Sequence, residues 1–341
     1  MTKRDRVFSA VSHKDTDIVP FNIEFTSEQY EKTLSIYGMT GTEFDKYLGN
    51  HCSKISYNFG GHSEKKGFFT DEFGVTWDRT GIDKDIGVVV ENLISGSDDT
   101  SYSFPEPNLT EIGIRTEKAL TSRGDTVLFG KIGMAFFERA WSLCGFQDIL
   151  MQIALEPDHV RDVLARILEY NLKIIDKALE YGIDGFYFGD DYGQQSGLLM
   201  SPDMWRSNFK EGLATMFGRV KEKGKLVALH SCGDITGILP DLVEIGLDIY
   251  QTVQPEIYNL PKLKKDFGSN LTFWGAISTQ KELPFSSPEG LKDTIQETVR
   301  VLSKNGGYIA GPTHRLPPDI PGENIRVLVD YMVNQSKWEV S

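Results

Sequence analysis

Short apolar segments alternate with longer amphipathic ones along most of this chain of 341 residues. The short segments have the length and the β-branched and aromatic content of buried strands, and the long ones show the spacing of helices. Repeated strand–helix units with short connections predict a parallel sheet covered by helices, and eight such units close as a (β/α)8 TIM barrel. The eight predicted strands are 19–25, 53–59, 126–132, 184–189, 226–229, 249–253, 271–277 and 308–311.

An open, doubly wound sheet is the alternative α/β architecture. That fold usually carries a glycine-rich phosphate-binding loop after an early strand. The sequence contains neither Gly-x-Gly-x-x-Gly nor Gly-Lys followed by Ser or Thr. The barrel is therefore favoured, as a single domain over residues 1–341. Within it, 1–110 is an N-terminal elaboration that includes the first strands, and 111–341 holds the main strand–helix repeats.

The charge balance and the cysteine content exclude several classes of protein. A formal net charge of −13 disfavours nucleic acid and anionic membranes as general partners. Three scattered cysteines, Cys52, Cys144 and Cys232, are too few for a disulfide framework and favour a reducing, cytoplasmic setting. The N-terminus lacks the apolar core of a signal peptide, and no apolar run approaches the ~20 residues of a membrane helix.

Polar residues follow several of the predicted strands at the point where each strand ends. In a barrel of this type the active site lies at the C-terminal ends of the strands, so these residues are the candidates for function. Trp274 lies within a predicted strand, and its side chain faces either the core or the site. The strand-end residues are Glu24, Asp190, Asp191, His230, Cys232, Gln254, Glu256 and His314.

A metal site is predicted where the apolar segment 226–229 ends in His-Ser-Cys-Gly. His230 and Cys232 are two residues apart, so on an extended chain both side chains point to the same side. Imidazole and thiolate are preferred zinc ligands, and His314 provides a third. Three protein ligands leave one position for water or substrate, as in a catalytic zinc site. The alternative is a strand end with a buried cysteine and a hydrogen-bonded histidine.

Carboxylates provide the candidates for proton transfer. Asp190 and Asp191 are adjacent, so on an extended segment at most one of them faces the pocket. That residue is a candidate general acid with a pKa raised by burial, and the alternative is an aspartate that caps a helix or anchors a loop. Glu256 is a further catalytic candidate, because a carboxylate next to a metal ligand can orient that ligand by hydrogen bonding to it. The candidate substrate contacts are Glu24, Gln254 and Trp274.

Several stretches together resemble the uroporphyrinogen decarboxylase superfamily. The resemblance covers nearly the whole chain, is strongest from about Gly182 to the end, and implies a (β/α)8 barrel that is often a homodimer. The stretches that carry it are Phe-Gly-Asp-Asp-Tyr-Gly-Gln-Gln at 188–195, Leu-Leu-Met-Ser-Pro-Asp-Met-Trp at 198–205, His-Ser-Cys-Gly at 230–233, Val-Gln-Pro-Glu at 253–256, Phe-Trp-Gly at 273–275, Pro-Thr-His at 312–314, Pro-Asp-Ile-Pro at 318–321 and Glu-Asn at 323–324.

The superfamily has two branches of chemistry. Its decarboxylases hold the carboxylates of a porphyrinogen with an arginine-rich segment after the first strand, whereas the matching segment 21–28 has no arginine and contains Glu24 and Glu28. The other branch comprises methyltransferases that work with corrinoid proteins, and those with thiol substrates use a His-x-Cys pair and a later cysteine as zinc ligands. His230 and Cys232 match the pair, and His314 stands where the later cysteine is found.

The resemblance therefore implies a corrinoid-dependent methyltransferase. The stretches at 190–193 and 198–205 are most similar to methyltransferases of O-demethylase systems, in which a methyl group passes from an aryl methyl ether to the cobalt of a separate corrinoid protein. We expect a bound zinc ion, a small methylated substrate and a corrinoid protein as partner. The alternatives are a porphyrinogen decarboxylase, a methylcorrinoid-to-thiol methyltransferase, and a non-catalytic barrel that binds a tetrapyrrole or corrinoid partner.

Overall fold

The structure is a computed structural model that describes residues 1–62, 65–81, 86–96 and 101–337. The polar composition of residues 95–101 predicts a loop, of which 97–100 lie outside the described residues. The chain divides into two compact units. We call them the terminal unit (Met1–Ser53, Arg123–Val127 and Asp248–Ser341) and the central unit (Lys54–Ser122 and Leu128–Leu247). The single-domain organisation over 1–341 stays a prediction.

Strands and helices alternate along both units, which confirms the predicted α/β class. A π-helical segment, Arg206–Lys210, follows α8, and single 3-10 turns occupy Thr236–Ile238 and Gln335–Lys337. The helices are α1 Lys3–Val11, α2 Ser27–Tyr37, α3 Gly41–Leu48, α4 Leu109–Ser122, α5 Phe137–Cys144, α6 Phe146–Leu155, α7 Pro157–Leu179, α8 Pro202–Trp205, α9 Glu211–Lys221, α10 Leu239–Glu244, α11 Leu260–Phe267, α12 Glu282–Phe285, α13 Pro288–Leu302 and α14 Gly322–Val333. The strands are β1 Cys52–Ser56, β2 Gly60–His62, β3 Phe68–Asp71, β4 Thr76–Asp78, β5 Val88–Val89, β6 Val127–Ile132, β7 Gly185–Gly189, β8 Gly193–Gln194, β9 Gly197–Leu198, β10 Leu226–His230, β11 Ile249–Val253, β12 Thr272–Ile277 and β13 Tyr308–Pro312.

In the central unit, β7 pairs in parallel with β6 on one side and with β10 on the other. Every residue of β7 is buried, as expected of a strand covered on both faces. Asp184, just before β7, ties the start of this strand to both of its neighbours. Its carboxylate accepts a hydrogen bond from the Leu128 backbone N–H of β6 at 3.0 Å, and its carbonyl accepts one from the Leu226 N–H of β10 at 3.0 Å. The ends of β7 and β10 are thereby held in register, with His230 opposite Gly189.

In the terminal unit, β11, β12 and β13 pair in parallel. The first predicted strand, 19–25, does not form a regular strand and makes only two isolated parallel bridges, Phe21 to Ala310 and Phe25 to Leu316. Pro20 has no N–H to offer a ladder. The Asn50 side chain occupies the hydrogen-bonding groups of Ile23, accepting from its N–H at 2.9 Å and donating to its carbonyl at 2.8 Å.

The remaining comparisons with the sequence predictions concern the hairpin region of the first third of the chain and the helices α3 to α6. The aromatic-rich stretch 67–80 has the sequence pattern of a β-hairpin, and this prediction is confirmed, because β3 and β4 pair antiparallel within a four-stranded sheet, β2–β3–β4–β5. Helices α3 and α4 form in stretches to which the sequence pattern assigned no element, and α3 begins with a capping box between Thr40 and Glu43. The sequence pattern over 138–155 predicts one helix, but the structure has two, because Gly145 between them has a φ of +94°. Of the helices that the structure describes, none is long and apolar enough to cross a membrane.

Candidate metal centre

Two neighbouring strand ends of the central unit bring the candidate ligands together. β7 runs into Asp190 and Asp191, and β10 ends at His230, two residues before Cys232. The backbone N–H of Asp190 donates to the His230 carbonyl at 2.9 Å, so the pairing continues past the last residue of β7. Parallel strands carry their C-terminal ends to the same edge of a sheet, which explains why these residues meet.

The side chains of Asp191, His230 and Cys232 form a compact cluster. Their ligand atoms all lie within 4.8 Å of one another. His230 Nε2 is 3.5 Å from Cys232 Sγ and 3.5 Å from Asp191 Oδ1. The Cys232 backbone N–H donates to Asp191 Oδ1 at 2.8 Å, which orients the carboxylate. The sequence predicted the histidine and the cysteine of this cluster as ligands, but it assigned Asp191 to catalysis.

These distances fit a tetrahedral zinc ion. Zinc binds sulfur at about 2.3 Å and nitrogen or oxygen at about 2.0–2.1 Å, so two of its ligand atoms lie roughly 3.3–3.6 Å apart. Both distances from His230 Nε2 agree with this spacing. One imidazole, one thiolate and one carboxylate also form a donor set that zinc accepts. The cluster can therefore hold zinc with one position left for a further ligand.

The surroundings of the cluster are acidic. Glu138, in the first turn of α5, accepts a hydrogen bond from the Asp191 backbone N–H. Burial, followed by the charges of Asp191 and Asp190, raises the pKa of Glu138 well above its usual value. Burial and the charge of Asp191 also raise the pKa of the Cys232 thiol. A bound cation reverses this effect on Cys232, because a coordinating thiol loses its proton.

Asp190 has a different environment from Asp191. Its side chain is fully buried and accepts three hydrogen bonds, from the N–H groups of Phe137 at 2.9 Å and Glu138 at 2.7 Å and from the Tyr192 hydroxyl at 2.5 Å. Burial raises its pKa to about 6, although these hydrogen bonds oppose the shift. Asp190 thus anchors the start of α5 and positions Glu138. Of the two adjacent aspartates, Asp191 is the one beside His230 and Cys232.

The loop after β7 and the loop after β10 are locked together by close backbone contact. The Tyr192 N–H donates to the Ser231 hydroxyl at 3.0 Å, and the Asp234 N–H donates to the Gln194 carbonyl at 2.9 Å. Gly233 has a φ of +79°, and a Cβ there would overlap the backbone of Gly193. Only glycine fits such a contact without strain. Cys232 is therefore held in place by both loops.

A buried ion pair supports α5 from the other side. The guanidinium of Arg139, which is 2% exposed, lies 2.6 Å from the Asp71 carboxylate and 4.1 Å from the centre of the Phe73 ring. Asp71 also accepts from the N–H groups of Phe73 and Val75. The β3–β4 hairpin is thus attached to the helix that carries Glu138.

The other predicted site residues belong to the terminal unit. Gln254 and Trp274 are buried, Glu256 and His314 are exposed, and Glu24 is half-buried. The Ser278 hydroxyl donates to Glu256, and the Asn22 amide donates to Glu24 at 3.2 Å. The metal-ligand role of His314, the catalytic role of Glu256 and the substrate contacts of Glu24, Gln254 and Trp274 stay predictions.

Glu138 is the site residue that the sequence did not suggest. It lies six positions after the end of β6, beyond the strand-end residues from which candidates were taken. A search that extended to the first turn of each following helix would have found it, because acidic residues there are close to the same edge of the sheet.

Comparisons with known proteins agree with the fold. The family model described as uroporphyrinogen decarboxylase (URO-D) matches residues 85–334. A methyltransferase from Methanosarcina mazei is similar in structure, with a TM-score of 0.73, 18% identity and coverage of 99% of this chain and 100% of that chain. A B12-independent methionine synthase from Shewanella sp. W3-18-1, solved in complex with selenomethionine, has a TM-score of 0.50, 10% identity and coverage of 94% and 96%. No curated protein matches in sequence. The family match and the first likeness confirm the predicted fold of the uroporphyrinogen decarboxylase type.

Proposed function

The chain belongs to the uroporphyrinogen decarboxylase family, and on that basis we propose that it is a zinc-dependent methyltransferase. In this proposal it moves a methyl group from a small methoxylated substrate, an aryl methyl ether, to the cobalt of a partner corrinoid protein. The observation that carries the proposal is the cluster of Asp191, His230 and Cys232 at adjoining strand ends. The likeness in fold to a Methanosarcina methyltransferase supports it.

Asp191, His230 and Cys232 are the residues that would hold the zinc ion. When bound, zinc supplies Lewis acidity, which stabilises the negative charge that develops on the ether oxygen as the methyl group leaves. The short hydrogen bond from the Cys232 backbone to Asp191 keeps the carboxylate turned toward His230. A preformed arrangement of this kind requires little reorganisation during the reaction.

The proton for the leaving oxygen comes, in this proposal, from Glu138. Burial and the neighbouring carboxylates raise the pKa of Glu138, which favours its protonated form, and its contact with Asp191 places it beside the cluster. The carbon–oxygen bond breaks with its electron pair on oxygen, the reduced cobalt of the partner supplies the pair for the new bond to methyl, and the oxygen takes the proton. Asp190 holds Glu138 in position through the start of α5.

An activity screen tests the proposal directly. The full-length protein, loaded with zinc, is mixed with a reduced corrinoid protein and with methoxyaromatics, methylamines or methylthiols in turn. We expect the spectrum of Co(I) to convert to that of methyl-Co(III) only with a methoxyaromatic. Equal activity after removal of the metal would contradict the zinc role. The cytoplasmic location and a homodimeric assembly stay predictions.

Decarboxylation is the second candidate, because the family model takes its name from that activity. The segment 21–28 argues against it, since Glu24 and Glu28 stand where a polycarboxylate would need positive charge. Turnover of uroporphyrinogen by the purified protein would establish this alternative. The third candidate is a methylcorrinoid-to-thiol methyltransferase. Methylation of a thiol by a methylcorrinoid, without demethylation of an ether, would establish it.

A further inference from the structure

A small cavity lies inside the central unit, between the β3–β4 hairpin and the helices α5 and α7. It offers about 10 Å³ to the centre of a water-sized sphere, which is room for one water molecule. A cavity of this size stays dry when its walls are apolar and holds water when they carry polar groups. The polar residues that line it include Asn58, Glu72, Arg139, Tyr170 and Asn171.

Glu72, in the turn of the hairpin, brings a buried carboxyl group to the cavity. Its side chain is 10% exposed. The Oε1 atom accepts from the Asn58 amide at 3.2 Å and lies 3.6 Å from the Arg139 guanidinium. The Oε2 atom is buried and makes no hydrogen bond to the residues that the structure describes. Buried polar atoms are nearly always paired with protein or with ordered water, so Oε2 needs a partner.

The charges around Glu72 favour a neutral partner over a cation. Asp71, the residue before Glu72, is the carboxylate that Arg139 holds, at 2.6 Å. Burial raises the pKa of Glu72, and the charge of Arg139 opposes this shift. A protonated carboxyl group has an O–H to donate, and a metal cation cannot accept it. A water molecule can both accept and donate, and the guanidinium does not repel it.

Two neighbouring residues of α7 supply further polar groups to the cavity. Tyr170 and Asn171 both line it. After burial, the charge of Glu72 is the largest cause that raises the pKa of the Tyr170 hydroxyl, so the hydroxyl and the carboxyl group lie close together. Asn171 donates from its amide nitrogen to the Ala135 carbonyl, and its amide oxygen is an acceptor. With Glu72, these groups provide the about three hydrogen bonds that a buried water typically makes.

We propose that the cavity is a binding site for a single water molecule, which is hydrogen-bonded to Glu72 Oε2, Tyr170 and Asn171. This inference does not depend on the proposed methyl transfer, since none of these residues belongs to the metal cluster. The bound water joins the turn of the hairpin to α7, whereas Arg139 joins the hairpin to α5. The hairpin is thereby attached to both helices.

Crystal structures of the full-length protein test the site. We expect one density peak at about 2.6–3.2 Å from Glu72 Oε2 in the wild type. Glu72→Gln keeps a polar atom at this position and should keep the peak. Glu72→Met leaves the cavity without its carboxyl group and should lose the peak. Glu222→Met, at an exposed glutamate of the same unit, is the matched control and should keep the peak.

Deuterium relaxation dispersion measures the same water in solution, because it counts long-lived buried waters. The wild type and Glu222→Met should each have one more such water than Glu72→Met. A wild-type cavity without density would overturn the site, whether or not the variants fold. A peak that persists in Glu72→Met would also overturn it. A peak with an anomalous signal after exchange of the crystals into rubidium would overturn it as well, because the ligand would then be a cation.

Discussion

The strand ends of the central unit and those of the terminal unit use their polar residues differently. In the central unit, Asp191, His230 and Cys232 direct their ligand atoms toward one another. In the terminal unit, Gln251 and Thr252 of β11 both donate to the carbonyl of Thr313, which directly follows β13, so these side chains tie two strands together. Both units have polar strand ends, as the sequence predicts. Residue type at a strand end does not by itself separate a ligand from a residue that ties two strands together.

The largest effect is expected at the proposed metal ligands of the central unit. Cys232→Ala removes the sulfur ligand and should abolish zinc binding and methyl transfer in a protein that remains folded. The loss of affinity should exceed the ~10–100-fold that loss of a supporting partner costs. Cys144→Ala is the matched control, because Cys144 is a buried thiol in α5 outside the cluster. Elemental analysis after gel filtration measures the zinc content. Zinc retained by Cys232→Ala would contradict the assignment of Cys232 as a metal ligand.

The next effect concerns the buried support of α5. Arg139→Met leaves the Asp71 carboxylate, which is 6% exposed, without its cation, and breaking a buried pair in this way costs about 3–5 kcal/mol. Its counterpart in the terminal unit is Arg300→Met, which removes an exposed pair with Glu297 and should leave stability unchanged. Urea unfolding compares the two variants. Similar free energies of unfolding in both would show that the Arg139 pair does not support α5.

Acid should act on the terminal unit through His51. This histidine is 2% exposed, and burial, followed by the charge of Arg6, lowers its pKa to about 4. The unfolded chain therefore binds more protons than the folded chain between pH 4 and about 6.5. Stability from this group is fully present above about pH 6.5 and is lost as the pH falls to 4, by roughly 3 kcal/mol in total. Between about pH 6.5 and 4, the slope of the unfolding free energy against pH should be smaller in His51→Gln than in the wild type, and unchanged in the control His159→Gln. An unchanged slope in His51→Gln would contradict the claim that His51 causes this loss of stability.

The smallest of these effects compares one glutamate from each unit. Glu138→Gln should retain zinc but lower kcat about 100-fold, because the variant has no carboxyl proton to give to the leaving oxygen. Glu256→Gln is the matched substitution at the exposed, predicted catalytic residue of the terminal unit. Single-turnover rates with a reduced corrinoid separate them. An equal loss of rate in both variants would show that Glu256 contributes as much to the reaction as Glu138.

The sequence predicted those parts of the site that depend on local regularity. His230 and Cys232 were found because an apolar strand ends at them and side-chain alternation puts them on one side. The roles of Asp190 and Asp191 could not be separated, because Asp190 accepts its hydrogen bonds from Phe137 and Glu138, more than fifty positions earlier in the chain. No pattern in the sequence around Asp190 indicates such a distant hydrogen-bond partner.

The same limit explains the errors in the fold. The first predicted strand contains the right residue types, but the Asn50 side chain takes the hydrogen bonds of Ile23 that a neighbouring strand would have used. The break at Gly145 was missed because the helical pattern continues on both sides of it. Strand periodicity elsewhere was sufficient, since the other seven predicted strands all form.

Zinc-edge X-ray absorption of the full-length protein tests the central claim most directly. The account predicts one sulfur neighbour at about 2.3 Å, with the remaining nitrogen and oxygen neighbours at about 2.0–2.1 Å. It also predicts that the spectrum of His314→Ala keeps the sulfur neighbour, since Cys232 provides it within the central unit. A protein that binds no zinc, or a zinc ion without a sulfur neighbour, would contradict the assignment of Asp191, His230 and Cys232 as the metal ligands.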